Sequence, residues 1–187
     1  CDGTLVESMV LHHRAWQVAF ARFQAPFEFG WTLFMRRAGM PLLQTVLELN
    51  REFGTSLSPE EVVREQHRAY AELLPGVLPI EPVVAFARAL YGHAPLSVFS
   101  GGNEDVVRQS LAAIGILELF DHVVTAEHVL RGKPDPEGFL LCAERMGQAP
   151  GDCLVIEDGE LGIEAAERAG MDWVRVGAPP EGASTGG

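Results

Sequence analysis

Apolar positions along this chain change their period near residue 76. Upstream they recur at helical spacing. Leu11, Ala15, Val18 and Ala19 form one stripe, with Trp16 and Phe20 beside it. Leu42, Leu43, Val46, Leu47 and Leu49 form a second. Ser58-Pro59-Glu60-Glu61 predicts a helix start, with Ser as N-cap, Pro at the first helical position and Glu three residues after the cap. That helix runs to about Leu74, and Pro75-Gly76 breaks it.

Downstream, short apolar runs alternate with helical stretches. The pattern predicts a helix over about 80–91 and a strand Leu96-Ser97-Val98-Phe99 ending at Ser100-Gly101-Gly102. A helix from about Asn103 to Ile114 and a strand His122-Val123-Val124 follow. A helix over 136–147, a strand Cys153-Leu154-Val155-Ile156, a helix over 160–169 and a strand Trp173-Val174-Arg175-Val176 complete the series. Such alternation implies an α/β fold with a parallel sheet covered on both faces and right-handed crossovers. Residues 9–75 lack strands and read as a helical insert in that core.

Composition narrows the function. The 187 residues suffice for a real core, and 47% hydrophobic with 21% charged content is that of an ordinary globular protein. A net charge of -12 argues against a nucleic-acid surface, which needs clustered Lys and Arg. An anionic substrate would need a local site with a metal rather than general attraction. No apolar run reaches the roughly 18 residues of a membrane helix. Cys1, Cys142 and Cys153 are odd in number and lack CxxC spacing, which predicts reduced thiols, a cytoplasmic setting and burial of Cys142 and Cys153. The Gly- and Pro-rich tail from Gly177 to Gly187 is expected to fray.

Four polar clusters fall where ligands sit in doubly wound sheets, beyond the carboxyl ends of strands. Asp2-Gly3-Thr4 opens the chain; alone it is a common turn, and with an Asp before Cys1 it would set two carboxylates on one strand face. Ser100 and Gly101, at a strand–helix junction, offer a hydroxyl and bare N–H groups to phosphate oxygens, or form a plain capped turn. Lys133, between Gly132 and Pro134, is either a solvated charge or a fixed ammonium against an anion. Glu157 and Asp158 end a strand, and Mg²⁺ takes one or two carboxylates plus water and phosphate oxygens. Asp158 is the expected direct ligand, with Glu157 acting through water; the alternative is helix capping by Asp158.

The order of these clusters resembles the four motifs of the haloacid dehalogenase-like phosphotransferases. The likeness runs over nearly the whole chain. It is strongest to the β-phosphoglucomutase-like subfamily, and within it to sugar-phosphate phosphatases of the fructose-1-phosphate type. His12-His13-Arg14-Ala15-Trp16 and Phe139-Leu140-Leu141-Cys142-Ala143-Glu144-Arg145-Met146-Gly147 also carry it.

The resemblance implies a Rossmann-like core, residues 1–8 and 76–187, with a small helical cap, residues 9–75, inserted after the first motif. It implies a Mg²⁺-dependent phosphatase of small phosphorylated metabolites, sugar phosphates above all, working through an aspartyl-phosphate. Asp2 would be the general acid/base and lend its carbonyl to Mg²⁺, with Asp158 and Glu157 completing the metal site. Ser100, Gly101 and Lys133 would hold the phosphoryl group. His12 matches a histidine near the acid/base, or is simply packed; His13 is expected at the surface. The nucleophilic Asp is expected immediately before Cys1, with a first core strand ahead of it. The expected state is a monomer or weak homo-oligomer.

Two departures from the phosphatase reading stay open. A mutase of this subfamily carries a phosphate-binding Arg in the loop at Ala38-Gly39-Met40-Pro41-Leu42, where this chain has Pro41 or Leu42, with Arg36 and Arg37 out of register. A non-catalytic binding module is the reading if the nucleophile is absent.

Overall fold

A computed structural model describes residues 1–37 and 40–177. Four helices carry the first apolar stripes: α1 (Met9–Arg22), α2 (Trp31–Met35), α3 (Leu42–Phe53) and α4 (Pro59–Leu73). They enclose an aromatic core of Trp16, Phe20, Phe29 and Phe34 with Val46, Leu49 and Val62. Trp16 stacks on Phe20 at 5.2 Å, and Phe20 meets Phe29 at 4.9 Å. His13 is half-buried among these rings rather than at the surface, and donates to the Phe29 carbonyl at 2.9 Å. Its ring neighbours Trp31 and Phe34 are too widely spaced in sequence for periodicity to reveal them.

The second half alternates as expected: α5 (Glu81–Leu90), β1 (Ser97–Phe99), α6 (Glu104–Ala113), β2 (His122–Val124), α7 (Glu137–Met146), β3 (Leu154–Glu157), α8 (Glu160–Ala169) and β4 (Asp172–Arg175). The strands pair in parallel, β1 with β2 from Ser97↔His122 and β3 with β4 from Leu154↔Asp172. Among the described residues these are two separate two-stranded sheets rather than one continuous ladder. They share packing: α7 lies on β1 and β2 and against α8, while Leu5, Val98 and Ile156 join one apolar cluster. Cover is uneven. β1 and β2, covered by α7, are mostly buried, but Trp173 and Val174 of β4 are exposed. Cys142 is buried; Cys153 is only half-buried, one step before the strand whose first residue, Leu154, faces out.

The expected cap on α4 is absent. The helix starts at Pro59, yet the Ser58 side chain makes no bond to the helix N–H groups and instead approaches Glu60. Ala38 and Gly39 of the loop where a mutase would carry its Arg, and the tail from Ala178 to Gly187, lie outside the described residues.

Candidate functional site

The opening residues make a tight turn, not a strand. The Cys1 carbonyl accepts N–H groups of Thr4, Leu5 and Val6 at 2.7–3.2 Å. Gly3 takes a positive φ of 72°, which a side chain would resist. The turn makes an isolated bridge from Asp2 to Val6, and Val6 is fully buried. The result is that Gly3 and Thr4 face the end of β3, while the Asp2 side chain turns to Ser8 and His12.

That juxtaposition joins the opening turn to the end of β3. Thr4 Oγ1 donates to Asp158 Oδ1 at 2.7 Å across 154 residues. The Asp158 carboxylate lies against Gly3 so closely that a Cβ there would sit 2.2 Å from Oδ2. Asp158 does not cap α8; Gly159 is the residue before that helix. Burial raises the Asp158 carboxyl above its ordinary range, Glu157 adds to the rise, and Thr4 opposes it.

Glu157 points elsewhere. Its Oε2 accepts from Lys133 Nζ at 2.6 Å, and its Oε1 accepts the N–H groups of Asp158 and Gly159. It fits because Gly162 has no side chain; a Cβ there would be 2.2 Å from the Glu157 carboxyl carbon. Burial pushes the Glu157 carboxyl up, but the charge of Lys133 outweighs it and holds it low. Lys133 is only 19% exposed, so it is a fixed cation rather than a solvated one. Its ammonium stands 5.2 Å from the Phe99 ring centre and 5.4 Å from that of Phe139, within cation–π range. Gly138 lets Phe99 approach α7: a Cβ there would lie 2.2 Å from the ring.

Ser100 follows Phe99 and is buried at the end of β1. Its hydroxyl accepts the Gly102 N–H at 3.2 Å, within the turn that opens α6. Gly101 is exposed at the tip of that turn.

Asp2 is held on one oxygen. Ser8 Oγ donates to Asp2 Oδ1 at 2.5 Å, and His12 Nε2 lies 3.3 Å from the same atom. Burial raises the Asp2 carboxyl, but bonds from His12 and Ser8 outweigh it and hold it well below the usual carboxylate range. The His12 ring stacks on Tyr70 at 4.0 Å and 9°, and its Nδ1 meets Gln66 Nε2 at 3.4 Å. Thr4 belongs to the first sequence cluster, but its partner Asp158 is set only by the fold. Ser8, Gln66 and Tyr70 are not singled out in the sequence: Ser8 is a hydroxyl shortly after that cluster, while Gln66 and Tyr70 sit in an ordinary helical pattern.

The oxygen donors at the end of β3 are of the kind a hard divalent cation takes: the Asp158 carboxylate lies against the bare backbone of Gly3, with Glu157 next in sequence but paired to Lys133. Among the described residues no three acidic, His or Cys side chains converge as a complete metal cage. Mg²⁺ does not require one, since it keeps waters and takes phosphate oxygens. A cavity of about 590 Å³ opens between α4 and α6, lined by His67, Arg68, Asn103, Glu104, Gln109 and Glu127. Its one Arg is already bound to Glu65 and Glu72.

Comparison with known proteins gives the family. A family model described as haloacid dehalogenase-like hydrolase matches residues 1–170. The chain is 34% identical over 178 residues to the fructose-1-phosphate phosphatase of Escherichia coli strain K12, covering 94% of this chain and 92% of that one. It is 27% identical to the beta-phosphoglucomutase of Bacillus subtilis strain 168, covering 94% and 80%. A crystal structure of a hydrolase from Pseudomonas syringae superposes with a TM-score of 0.76 at 28% identity, covering 93% of this chain and 80% of that one.

Proposed function

The chain belongs to the haloacid dehalogenase-like hydrolases, and from that premise we propose that it is a Mg²⁺-dependent phosphatase of small phosphorylated metabolites, sugar phosphates first among them. The observation that carries the reading is the Thr4–Asp158 bond, which closes the first acidic cluster onto the last. The name of the Escherichia coli relative favours sugar phosphates over other esters.

Each residue then has a task. Lys133 and the Ser100–Gly101 turn hold the phosphoryl oxygens. Glu157 fixes Lys133, so the ammonium is oriented before substrate arrives. Asp158 and the Asp2 carbonyl would hold Mg²⁺, with Glu157 behind them; when bound, the ion neutralises charge on the phosphoryl oxygens. Asp2 is the general acid/base. Oδ1 is committed to Ser8 and His12, so Oδ2 is the oxygen left to move a proton. Because the resting carboxylate is ionised, it would take up a proton on Oδ2 as the anionic substrate binds beside it, give that proton to the leaving alkoxide, and regain one from the water that hydrolyses the aspartyl-phosphate. The acceptor Asp of that intermediate is the residue expected ahead of Cys1. Residues 9–75 act as a cap that excludes water and selects substrate, and the core comprises 1–8 and 76–187.

A sugar-phosphate mutase is the second reading, favoured by the Bacillus subtilis relative. Arg37 speaks against it: its guanidinium is committed to the Leu33 carbonyl and to Glu52, so it is not offered to a second phosphate. The test is phosphate release from a panel of hexose and pentose phosphates by the full-length protein with Mg²⁺. Asp2→Asn should lower kcat by about 10²–10⁴-fold with the circular dichroism spectrum unchanged. Full activity in that variant, or isomerisation of a sugar phosphate without net phosphate release, overturns the reading.

A further inference from the structure

We infer that Gln66 is a positioning residue for the acid/base: its carboxamide donates to Nδ1 of His12, keeps the ring proton on Nε2 and so aims that proton at Asp2. The meaning of this for catalysis rests on the phosphatase reading of Asp2; the geometry does not.

Gln66 lies on α4 and is completely buried. Its helix neighbours on the same face, Val62, Ala69 and Tyr70, are buried too. An apolar side chain would serve packing there at no polar cost. Instead the position holds a carboxamide whose Oε1 is buried without a partner among the described residues. Leaving a buried acceptor unpaired is expensive, so the retained amide needs a compensating use. Among the described residues its side chain makes one bond, from Nε2 to His12 Nδ1 at 3.4 Å.

That bond has a definite consequence for the imidazole. A nitrogen that accepts from an amide N–H cannot itself carry the proton in the neutral ring. The proton therefore sits on Nε2, 3.3 Å from Asp2 Oδ1. The opposite tautomer would face a bare Nε2 lone pair onto a carboxylate oxygen, two acceptors in contact. In the neutral ring, turning the amide over would favour that unfavourable tautomer; only a doubly protonated ring could give Nδ1–H to the amide oxygen while facing Asp2, and alkaline buffer removes that form. The donor at one edge of the ring and the carboxylate at the other thus select the same state. Tyr70 holds the ring plane by stacking at 4.0 Å, and is itself fixed through its hydroxyl to Ser110 Oγ at 3.2 Å. The chain of contact runs from α4 through α1 to the opening turn. It ends on the Asp2 oxygen that Ser8 also binds, which leaves the other oxygen for proton transfer.

The measurement is ¹⁵N NMR of the His12 ring in the full-length chain, in alkaline buffer and without substrate, with signals assigned by their loss in His12→Gln. The expected result is a protonated Nε2 and a bare Nδ1 in the wild type. Gln66→Met keeps the volume and removes the N–H. It should give a mixture of tautomers and lower kcat by about tenfold, with KM changed by less than about twofold. A wild-type ring protonated on Nδ1 overturns the assignment, and that reading needs no variant to fold. An unchanged ring in Gln66→Met overturns it as well. An inactive wild type with Nε2 protonated would sink the phosphatase reading while upholding the role of Gln66 in setting the ring.

Discussion

Lys133 and Glu157 show how one residue's value depends on its partner. Their 2.6 Å ion pair is mostly buried, with the carboxylate side chain only 10% exposed. Removing one member of such a pair leaves the other charge uncompensated, which costs far more than the pair contributes. Lys133→Met should therefore destabilise the fold by about 3 kcal/mol. The double variant Lys133→Met/Glu157→Gln should recover most of that loss. Urea unfolding of the three proteins checks it, and a double variant no more stable than the single one would refute the buried pair. Tyr70 gives a pH signature. Burial, with the Asp2 charge adding, pushes its phenol from 10.0 up to about 12. A raised pKa means that its contribution to stability is complete below pH 10 and is lost as pH rises toward 12. Tyr70→Phe should flatten the stability curve in that window, read by denaturant midpoints on either side of pH 10.

At the scale of elements, helix boundaries followed the sequence while their chemistry did not always do so. Ser58 marks the start of α4 but binds no helix N–H. Ser58→Ala should then cost less than about 0.5 kcal/mol, below the usual loss of about 1 for a working cap. A larger loss by thermal melting would show that the hydroxyl caps α4 after all. Elements also meet where a side chain is missing. Gly138 admits Phe99 onto α7, and Gly162 admits Glu157 onto α8. Both contacts aim site groups: Phe99 lies under Lys133, and Glu157 binds it. In the sequence these glycines are merely small residues inside helical stretches.

For the whole molecule, a net charge of -12 makes a concentrated acidic site costly unless cations answer it locally. Asp2 and Asp158 border the opening turn, and Lys133 is the ammonium that answers Glu157 beside them. Mg²⁺ should accordingly bind the native state and raise Tm, adding about 2.7 kcal/mol at a hundred times its Kd. Asp158→Asn should abolish the increment. A wild-type Tm indifferent to Mg²⁺ would remove the metal from the proposed function. No helix among the described residues is long and apolar enough to cross a membrane.

The sequence by itself determined the alternation of elements, because periods of 3.6 and 2 are written in each local stretch. It also determined which polar residues stand at the ends of strands, and the family to which their order belongs. Tertiary structure alone decided how those residues are used. Asp158 accepts Thr4 rather than capping its helix, since the turn at Gly3 sets the opening residues against the end of β3. His13 joins an aromatic core while His12, one residue earlier, faces Asp2, because adjacent positions on a helix point about 100° apart. Gln66 reads as one polar residue in a helical pattern; only packing against α1 places its amide on a ring nitrogen. Local periodicity fixes which face a residue occupies, and only the assembled elements fix what that face meets.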